Sequence, residues 1–152
     1  MSNAATIEKF YSSFNAHDAV GMASCYDKDI AFRDPAFGEL HGDDAKGMWR
    51  MLLKGSDVQV TCSNVVADDK TGSADWVATY TFSKTGRKVV NRVHAEFEFK
   101  DGKIIKHTDT FDFWKWSRQA LGISGLLLGW TGFLKSKVTA QATGRLKQFM
   151  AK

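Results

Sequence analysis

The sequence predicts a single α+β domain in which helices pack on an antiparallel sheet. Apolar residues near the N-terminus recur at helical spacing, and four strand-like segments joined by turn sequences then follow one another. The length of 152 residues, with 43% hydrophobic and 25% charged residues, is typical of one ordinary globular domain. These observations exclude a disordered chain, a collagen and a coiled-coil rod.

Three helices are predicted in the first third of the chain, at residues 6–16, 19–26 and 43–55. Asp18 is a suitable N-cap for the second helix, and Asp43 and Asp44 supply cap and first-turn charge for the third. Between the second and third helices, residues 30–34 are predicted to form a strand that Pro35 ends.

The sheet is predicted from four further segments, at residues 58–66, 74–83, 88–100 and 103–114. Asp101 and Gly102 form a two-residue hairpin signal between the last two strands. Gly38 and Gly42 indicate a loop, and residues 136–150 are predicted to form a C-terminal helix. We expect residues 1–114 to be the main body and residues 115–152 to be a helical extension of the same domain.

Charge is unevenly distributed along the chain. The net charge is +4, yet the last acidic residue is Asp112, and the 40 residues after it carry seven basic side chains. We expect this basic tail to dock onto the acidic body or to be solvated. Nucleic acid is not expected as a partner, because no recognition-helix pattern and no interleaving of aromatic with basic residues is present.

The longest apolar stretch, residues 121–134, contains four glycines and is shorter than the roughly 20 residues that a membrane span needs. We therefore expect a soluble protein and no membrane partner; a salt-sensitive membrane role for residues 136–152 is a weaker alternative. The two cysteines form neither a disulfide framework nor a metal motif, which favours the cytoplasm.

Three acidic or basic residues interrupt strand faces that are otherwise apolar. His107 and Asp109 share a face of the last predicted strand with Ile105 and Phe111, while Asp34 ends the apolar face of the first strand. Because burying an unpaired carboxylate is costly, the two aspartates must pair with another group, be protonated or face a hydrated cavity. One interpretation is an acid/base site in an apolar pocket; the alternative is a satisfied core histidine that closes the end of the sheet.

Other residues are predicted to line that pocket, although ordinary core packing also accounts for them: Phe10, Phe14, Tyr26, Trp49, Trp76, Tyr80, Asn91 and Phe111. No two histidines have the spacing of metal ligands. We expect neither a metal nor an organic cofactor, because proton transfer beside a carbonyl group requires neither.

Over roughly residues 5–114, the chain resembles the nuclear transport factor 2-like (NTF2-like) superfamily, and within it the SnoaL-like branch. The resemblance rests on the helical start Ile7–Tyr11, on Phe32–Gly38 with its Asp-Pro-Ala-Phe-Gly sequence, and on Phe97–Ile104 leading to His107 and Asp109. It implies a strongly curved antiparallel sheet wrapped by helices into a cone with a deep apolar pocket. It also implies a homodimer formed through the outer face of the sheet.

The resemblance also indicates which reactions of the superfamily are disfavoured for this chain. Asp34 matches the proton-shuttling aspartate of ketosteroid isomerases and Tyr26 matches a pocket tyrosine, but Phe10 and Ala95 stand where those enzymes have their two oxyanion donors. Steroid isomerisation is therefore disfavoured, because losing even one such donor typically costs about 10²–10³ in rate. Epoxide hydrolysis is also disfavoured, because Arg92 falls on the outer face of its strand.

Polyketide cyclases of this fold use a late-strand aspartate assisted by a histidine, which His107 and Asp109 match. We therefore expect a small apolar carbonyl ligand and isomerase- or cyclase-like proton transfer by Asp34, His107 and Asp109. The alternative is a non-catalytic ligand-binding or protein-interaction domain, because one fold can host unrelated functions. Residues 115–152 exceed the usual domain and are expected to act as a lid over the pocket or as a dimer clasp.

Overall fold

The protein is built around a single six-stranded sheet in a computed structural model that describes residues 1–151. The strands are β1 (Tyr26–Asp34), β2 (Gly38–His41), β3 (Gln59–Ala67), β4 (Thr71–Phe82), β5 (Arg87–Lys100) and β6 (Lys103–Thr110). Their spatial order is β2-β1-β6-β5-β4-β3, and every neighbouring pair is antiparallel except β1 and β6, which run parallel. The sheet is curved and does not close, which confirms the expected architecture apart from this one parallel pair.

Six helices accompany the sheet: α1 (Asn3–Asn15), α2 (Ala19–Ser24), α3 (Asp43–Leu53), α4 (Phe113–Leu121), α5 (Ile123–Leu128) and α6 (Gly132–Met150). The three N-terminal helices lie close to their predicted positions, but the second ends at Ser24. Tyr26, predicted in that helix, is instead the first residue of β1, which begins four residues earlier than predicted. The Asp18 carboxylate accepts a hydrogen bond from the Gly21 N–H at 2.9 Å, which confirms its capping role. The C-terminal helix begins earlier than residue 136, because Thr131 caps it through the Leu134 N–H.

Other strand boundaries also differ from the sequence prediction. Residues 38–41, predicted as loop, form the short strand β2 against β1. The last strand ends at Thr110 rather than at residue 114, because the Asp112 carboxylate accepts a hydrogen bond from the Lys115 N–H and begins α4.

A bulge in the β5–β6 pair changes which isoleucine is buried. Glu98 pairs with Lys106, but its neighbour Phe99 pairs with Ile104, so β6 has one extra residue at this point. Consequently Ile104 is fully buried, whereas Ile105, predicted on the inner face, is only half-buried. Beyond the bulge, His107 and Asp109 keep the predicted inward face.

The C-terminal extension packs on the same core as the rest of the chain. Leu146 of α6 lies in the main apolar cluster with the N-terminal helices and the inner face of the sheet. A second, smaller cluster joins α4 to β5 through Val89, Phe113 and Trp116. Within residues 1–151, no helix is both long and apolar enough to cross a membrane.

Replacing Leu146 with alanine is expected to lower the free energy of unfolding by about 2–4 kcal/mol, because it opens a cavity in the main core. The exposed Leu127→Ala is the matched control and is expected to change it by less than about 0.5 kcal/mol. Denaturant unfolding measures both. Equal effects of the two variants would show that α6 is not part of the folded core.

Candidate active site

The parallel pairing of β1 and β6 brings the predicted acid/base residues side by side. Phe32 pairs with His107 and Arg33 with Thr108, so the next positions along the two strands are Asp34 and Asp109. Because side chains alternate along a strand, Asp34 and Asp109 lie on the face that also carries Phe32 and His107. Adjacent strands are about 4.8 Å apart, which makes the two carboxylates neighbours.

A chain of hydrogen bonds between side chains begins on α3. The Trp49 indole N–H donates to the Tyr26 hydroxyl at 2.9 Å, and that hydroxyl lies 2.8 Å from Nδ1 of His107. The Tyr26 oxygen thus accepts from Trp49 and can donate its hydrogen to His107. The pocket tyrosine expected from the sequence is therefore in direct contact with the expected histidine.

The chain continues through His107 to Asp109. Nε2 of His107 lies 2.8 Å from Oδ1 of Asp109, and the Trp76 indole N–H donates to the same oxygen at 3.4 Å. If Tyr26 donates to Nδ1, the His107 proton belongs on Nε2, where it points at the carboxylate. In this tautomer, each N–H and O–H group of the hydrogen-bond chain, from the Trp49 indole to the Trp76 indole, has an acceptor.

Asp34 is held by the turn that follows β1. Its Oδ1 accepts hydrogen bonds from the backbone N–H groups of Ala36 and Phe37, at 3.0 and 2.6 Å. Burial disfavours its charged form and, with the nearby charge of Asp109, outweighs these hydrogen bonds and raises the pKa of Asp34 from 3.8 to about 7. Asp34 is therefore able to gain or lose a proton near neutral pH.

Both carboxylates are anchored through a single oxygen. Every hydrogen bond to the Asp34 carboxylate ends on its Oδ1, and every hydrogen bond to the Asp109 carboxylate also ends on Oδ1. Across residues 1–151, no protein group donates a hydrogen bond to Oδ2 of either residue. Two fixed carboxylates that each leave one oxygen free can exchange protons with a third group.

Aromatic rings pack tightly around the imidazole of His107, which is 0% exposed, while Asp109 is 4% exposed. Phe10 and Phe32 meet the imidazole edge-on at 5.4 and 5.1 Å between centroids, and Phe97 lies 4.6 Å away. Phe14, predicted as a lining residue, instead fills the space between Trp49 and Trp76. The deep part of the cone is therefore largely filled with side chains.

The remaining predicted lining residues, Tyr80, Asn91 and Phe111, are half-buried. Tyr80 and Phe111 contact both the main core and the second cluster. The Tyr80 hydroxyl accepts a hydrogen bond from Trp116 of α4 at 2.7 Å, and burial raises its pKa. These three residues are partly exposed, as Asp34 is, whereas the other predicted lining residues are buried.

Tyr11 is a buried polar residue near the site, and it was not among the predicted lining residues. Its hydroxyl has no hydrogen-bond partner among the described residues. Burial, reinforced by the charge of Asp109, raises the pKa of Tyr11. The sequence signal was a tyrosine at an apolar helical position directly after Phe10, which by itself indicates only burial.

Two surface grooves lie apart from the carboxylates. One, of about 530 Å³, runs between α1 and β3 and includes Tyr11 and Cys62. The other, of about 520 Å³, lies beside β4 and includes Gly72 and Thr108. No group of three or more His, Cys, Asp or Glu side chains in residues 1–151 is arranged to hold a metal ion.

Replacing Tyr26 with phenylalanine is expected to lower the free energy of unfolding by about 1–3 kcal/mol, because Trp49 and His107 then lose a buried partner. The matched control is Tyr11→Phe, which removes a hydroxyl without a partner and is expected to be neutral or stabilising. Thermal and denaturant unfolding measure both. Equal losses would contradict the hydrogen-bond chain.

The raised pKa of Asp34 predicts a pH-dependent stability. Between pH 3.8 and about 7 the folded protein holds a proton that the unfolded chain has released, so the stabilisation is complete below this range and is lost as pH rises through it. Relative to Asp34→Asn, the free energy of unfolding of the wild type is expected to fall by about 4 kcal/mol over that range. A constant difference across this pH range would refute the raised pKa.

Comparisons with known proteins agree with this architecture. The family model of the SnoaL-like domain matches residues 7–107. No protein with a curated description matches the chain.

Three solved structures illustrate the shared fold. A proposed polyketide cyclase from Xanthomonas campestris pv. campestris is 21% identical, with a TM-score of 0.64 over 77% of this chain and 96% of that one. IdmH from Streptomyces antibioticus, also a proposed polyketide cyclase, is 20% identical, with a TM-score of 0.67 over 81% and 100%. An LEH-like epoxide hydrolase from M. tuberculosis is 18% identical, with a TM-score of 0.67 over 83% and 95%. With its matched domain and NTF2-like architecture, the chain belongs to the SnoaL-like family of the NTF2-like superfamily.

Proposed function

We propose that this SnoaL-like domain binds a small, mostly apolar carbonyl compound and moves a proton at the carbon next to the carbonyl group. The observation that carries this proposal is the pair of neighbouring carboxylates, Asp34 and Asp109, each anchored through one oxygen only. A general base works best when its pKa lies near the working pH, and the pKa of Asp34 is raised to about 7. The proposed polyketide cyclases among the similar structures support the same class of chemistry.

In this mechanism, ionised Asp34 accepts the proton as the carbon–hydrogen bond breaks, and the electron pair moves onto the carbonyl oxygen. Returning the proton to another carbon completes an isomerisation. In a cyclase-like reaction, the enolate carbon instead attacks a second carbonyl group, and the new alkoxide takes the proton from Asp34. Neither route changes the oxidation state overall, so neither needs a cofactor.

His107 acts through Asp109 in this proposal. Both of its ring nitrogens are engaged, one by Tyr26 and the other by Asp109, so neither is free to donate to a ligand oxygen. In this proposal His107 is therefore a positioning residue that orients the Asp109 carboxylate.

A non-catalytic ligand-binding or protein-interaction domain is the second candidate function. The observation that favours it is the complete burial of His107 among aromatic rings. In that case the hydrogen-bond chain from Trp49 to Asp109 serves only to satisfy polar groups at the closed end of the sheet. Substitutions in this chain would then change stability and leave proton exchange in a bound ketone untouched.

We also propose that the family's homodimer forms through the exposed outer sheet face, where His94 and Asp75 form a hydrogen bond. Helix α6 is the proposed lid, because Val138 packs on the second cluster and a methyl group of Thr139 faces Gly38 in the turn after Asp34. The free thiols of Cys25 and Cys62 support a cytoplasmic location.

Replacing Asp109 with asparagine is expected to abolish proton transfer while sparing the fold, because the amide oxygen can still accept from His107 and Trp76. The probe is 2-tetralone, a small apolar ketone, with exchange of its α-protons in D2O followed by NMR. Asp34→Asn and Asp109→Asn are each expected to lower the enzymatic exchange rate by about 10²–10⁴. The wild-type rate is expected to rise with pH through about 7.

The matched control is Asp69→Asn, exposed in the turn between β3 and β4, which is expected to leave exchange unchanged. Binding of 2-tetralone, followed by tryptophan fluorescence, is expected to stay within about threefold for all three variants. If the Asp34 and Asp109 variants exchange protons as fast as the wild type does, neither carboxylate has the proposed role. Binding without any enzymatic exchange, even in the wild type, would favour the second candidate function.

A further inference from the structure

The C-terminal extension displays an apolar surface that no part of the described chain covers. We call this surface the apolar crest, and its residues are Ile123, Leu126, Leu127, Leu128, Trp130 and Phe133. Ile123, Trp130 and Phe133 are 76, 75 and 72% exposed. Six large apolar side chains are thus exposed within eleven consecutive residues, a concentration of exposed apolar surface that is typical of a binding surface.

The packing of α5 explains why these side chains point outward. Gly125 and Gly129 are buried against Ser117 of α4, and a side chain at either glycine would collide with Ser117. The Trp114 indole N–H also donates to the Leu126 carbonyl at 3.2 Å. Helix α5 therefore buries its glycine side and exposes its leucine side, the reverse of the usual arrangement in a globular protein.

Positive charge surrounds the apolar crest. Lys115 precedes it on α4, and Lys135 and Lys137 follow it on α6; all three are exposed. The Arg118 guanidinium stacks over the Trp114 ring at 4.1 Å from its centroid, beside the start of the crest. No acidic residue occurs after Asp112, so nothing in this part of the sequence neutralises these charges.

We propose that the apolar crest inserts into the interfacial region of an anionic lipid bilayer, with the flanking lysines contacting the headgroups. Leucine, phenylalanine and tryptophan side chains beside lysine and arginine are typical of segments that lie in a membrane surface without crossing it. The six-residue α5 and the absence of a spanning helix in residues 1–151 fit surface insertion. The sequence analysis did not expect a membrane partner, because the exposure of these side chains follows only from the packing of α5 on α4.

Charge favours a lipid surface over a second copy of the chain as the occupant. Docking two crests on each other would bring two segments together that each carry seven basic and no acidic residues. Like charges facing each other oppose association, whereas an anionic bilayer attracts the lysines. The proposal is independent of the carboxylate chemistry, because none of the crest residues contributes to the hydrogen-bond chain at Asp109.

Sedimentation of the full chain with lipid vesicles tests the proposal. We expect binding to vesicles of about two-thirds phosphatidylcholine and one-third phosphatidylserine, and binding at least about tenfold weaker to pure phosphatidylcholine. The double variant Leu127→Ser/Phe133→Ser is expected to bind the anionic vesicles at least about tenfold more weakly than the wild type does. The matched control, Val20→Ser/Val66→Ser, alters two equally exposed apolar residues far from the crest and is expected to bind like the wild type.

The charge requirement is tested separately with Lys135→Gln/Lys137→Gln, which is expected to weaken binding to anionic vesicles about tenfold, and with about 0.5 M salt, which screens the attraction. Unchanged circular dichroism and unfolding midpoints show that the variants are folded. Equal binding of the crest variant and the wild type would overturn the proposal, as would binding that is indifferent to lipid charge. Absence of vesicle binding, together with a dimer that Leu127→Ser/Phe133→Ser dissociates in sedimentation velocity, would assign the crest to chain–chain contact and also overturn it.

Discussion

The parallel pairing of β1 with β6, within a sheet that is otherwise antiparallel, is the constraint on which the candidate site depends. Strands from opposite ends of the domain become neighbours, so Phe32 lies beside His107 and Asp34 comes next to Asp109. Helices α1 to α3 and the other strands then enclose this junction with aromatic rings. A different neighbour for β1 would separate the carboxylates and remove the like-charge interaction that helps to raise the pKa of Asp34.

Burying polar groups at this junction is costly, and the surrounding residues offset the cost through directed hydrogen bonds. Side-chain hydrogen bonds run from Trp49 to Tyr26, from Tyr26 to His107 and from His107 to one oxygen of Asp109, so that each buried polar group has a partner. The environment of Asp34 differs. Two backbone N–H groups donate hydrogen bonds to its carboxylate and favour the charged form, but burial has the larger effect and raises its pKa. One fold therefore gives two neighbouring aspartates different environments.

The C-terminal extension connects the site to the apolar crest. Trp116 of helix α4 donates a hydrogen bond to the Tyr80 hydroxyl, and the next residue, Ser117, provides the surface on which Gly125 and Gly129 pack. The same short helix thus supports a half-buried part of the proposed pocket and holds the crest in its exposed position.

The sequence by itself determined the fold class, the inward face of the late strands and the approximate bounds of the first three helices, because periodicity and capping are local properties. It also identified Asp34, His107 and Asp109 as unusual, because a charged residue on an apolar strand face is visible in the alternation alone. Strand order, the bulge that buries Ile104 and the orientation of α5 came only from the tertiary structure. Each depends on which distant segments pack together: pairing with β1 brings Asp109 close to Asp34, and contact with Ser117 decides which side of α5 faces outward.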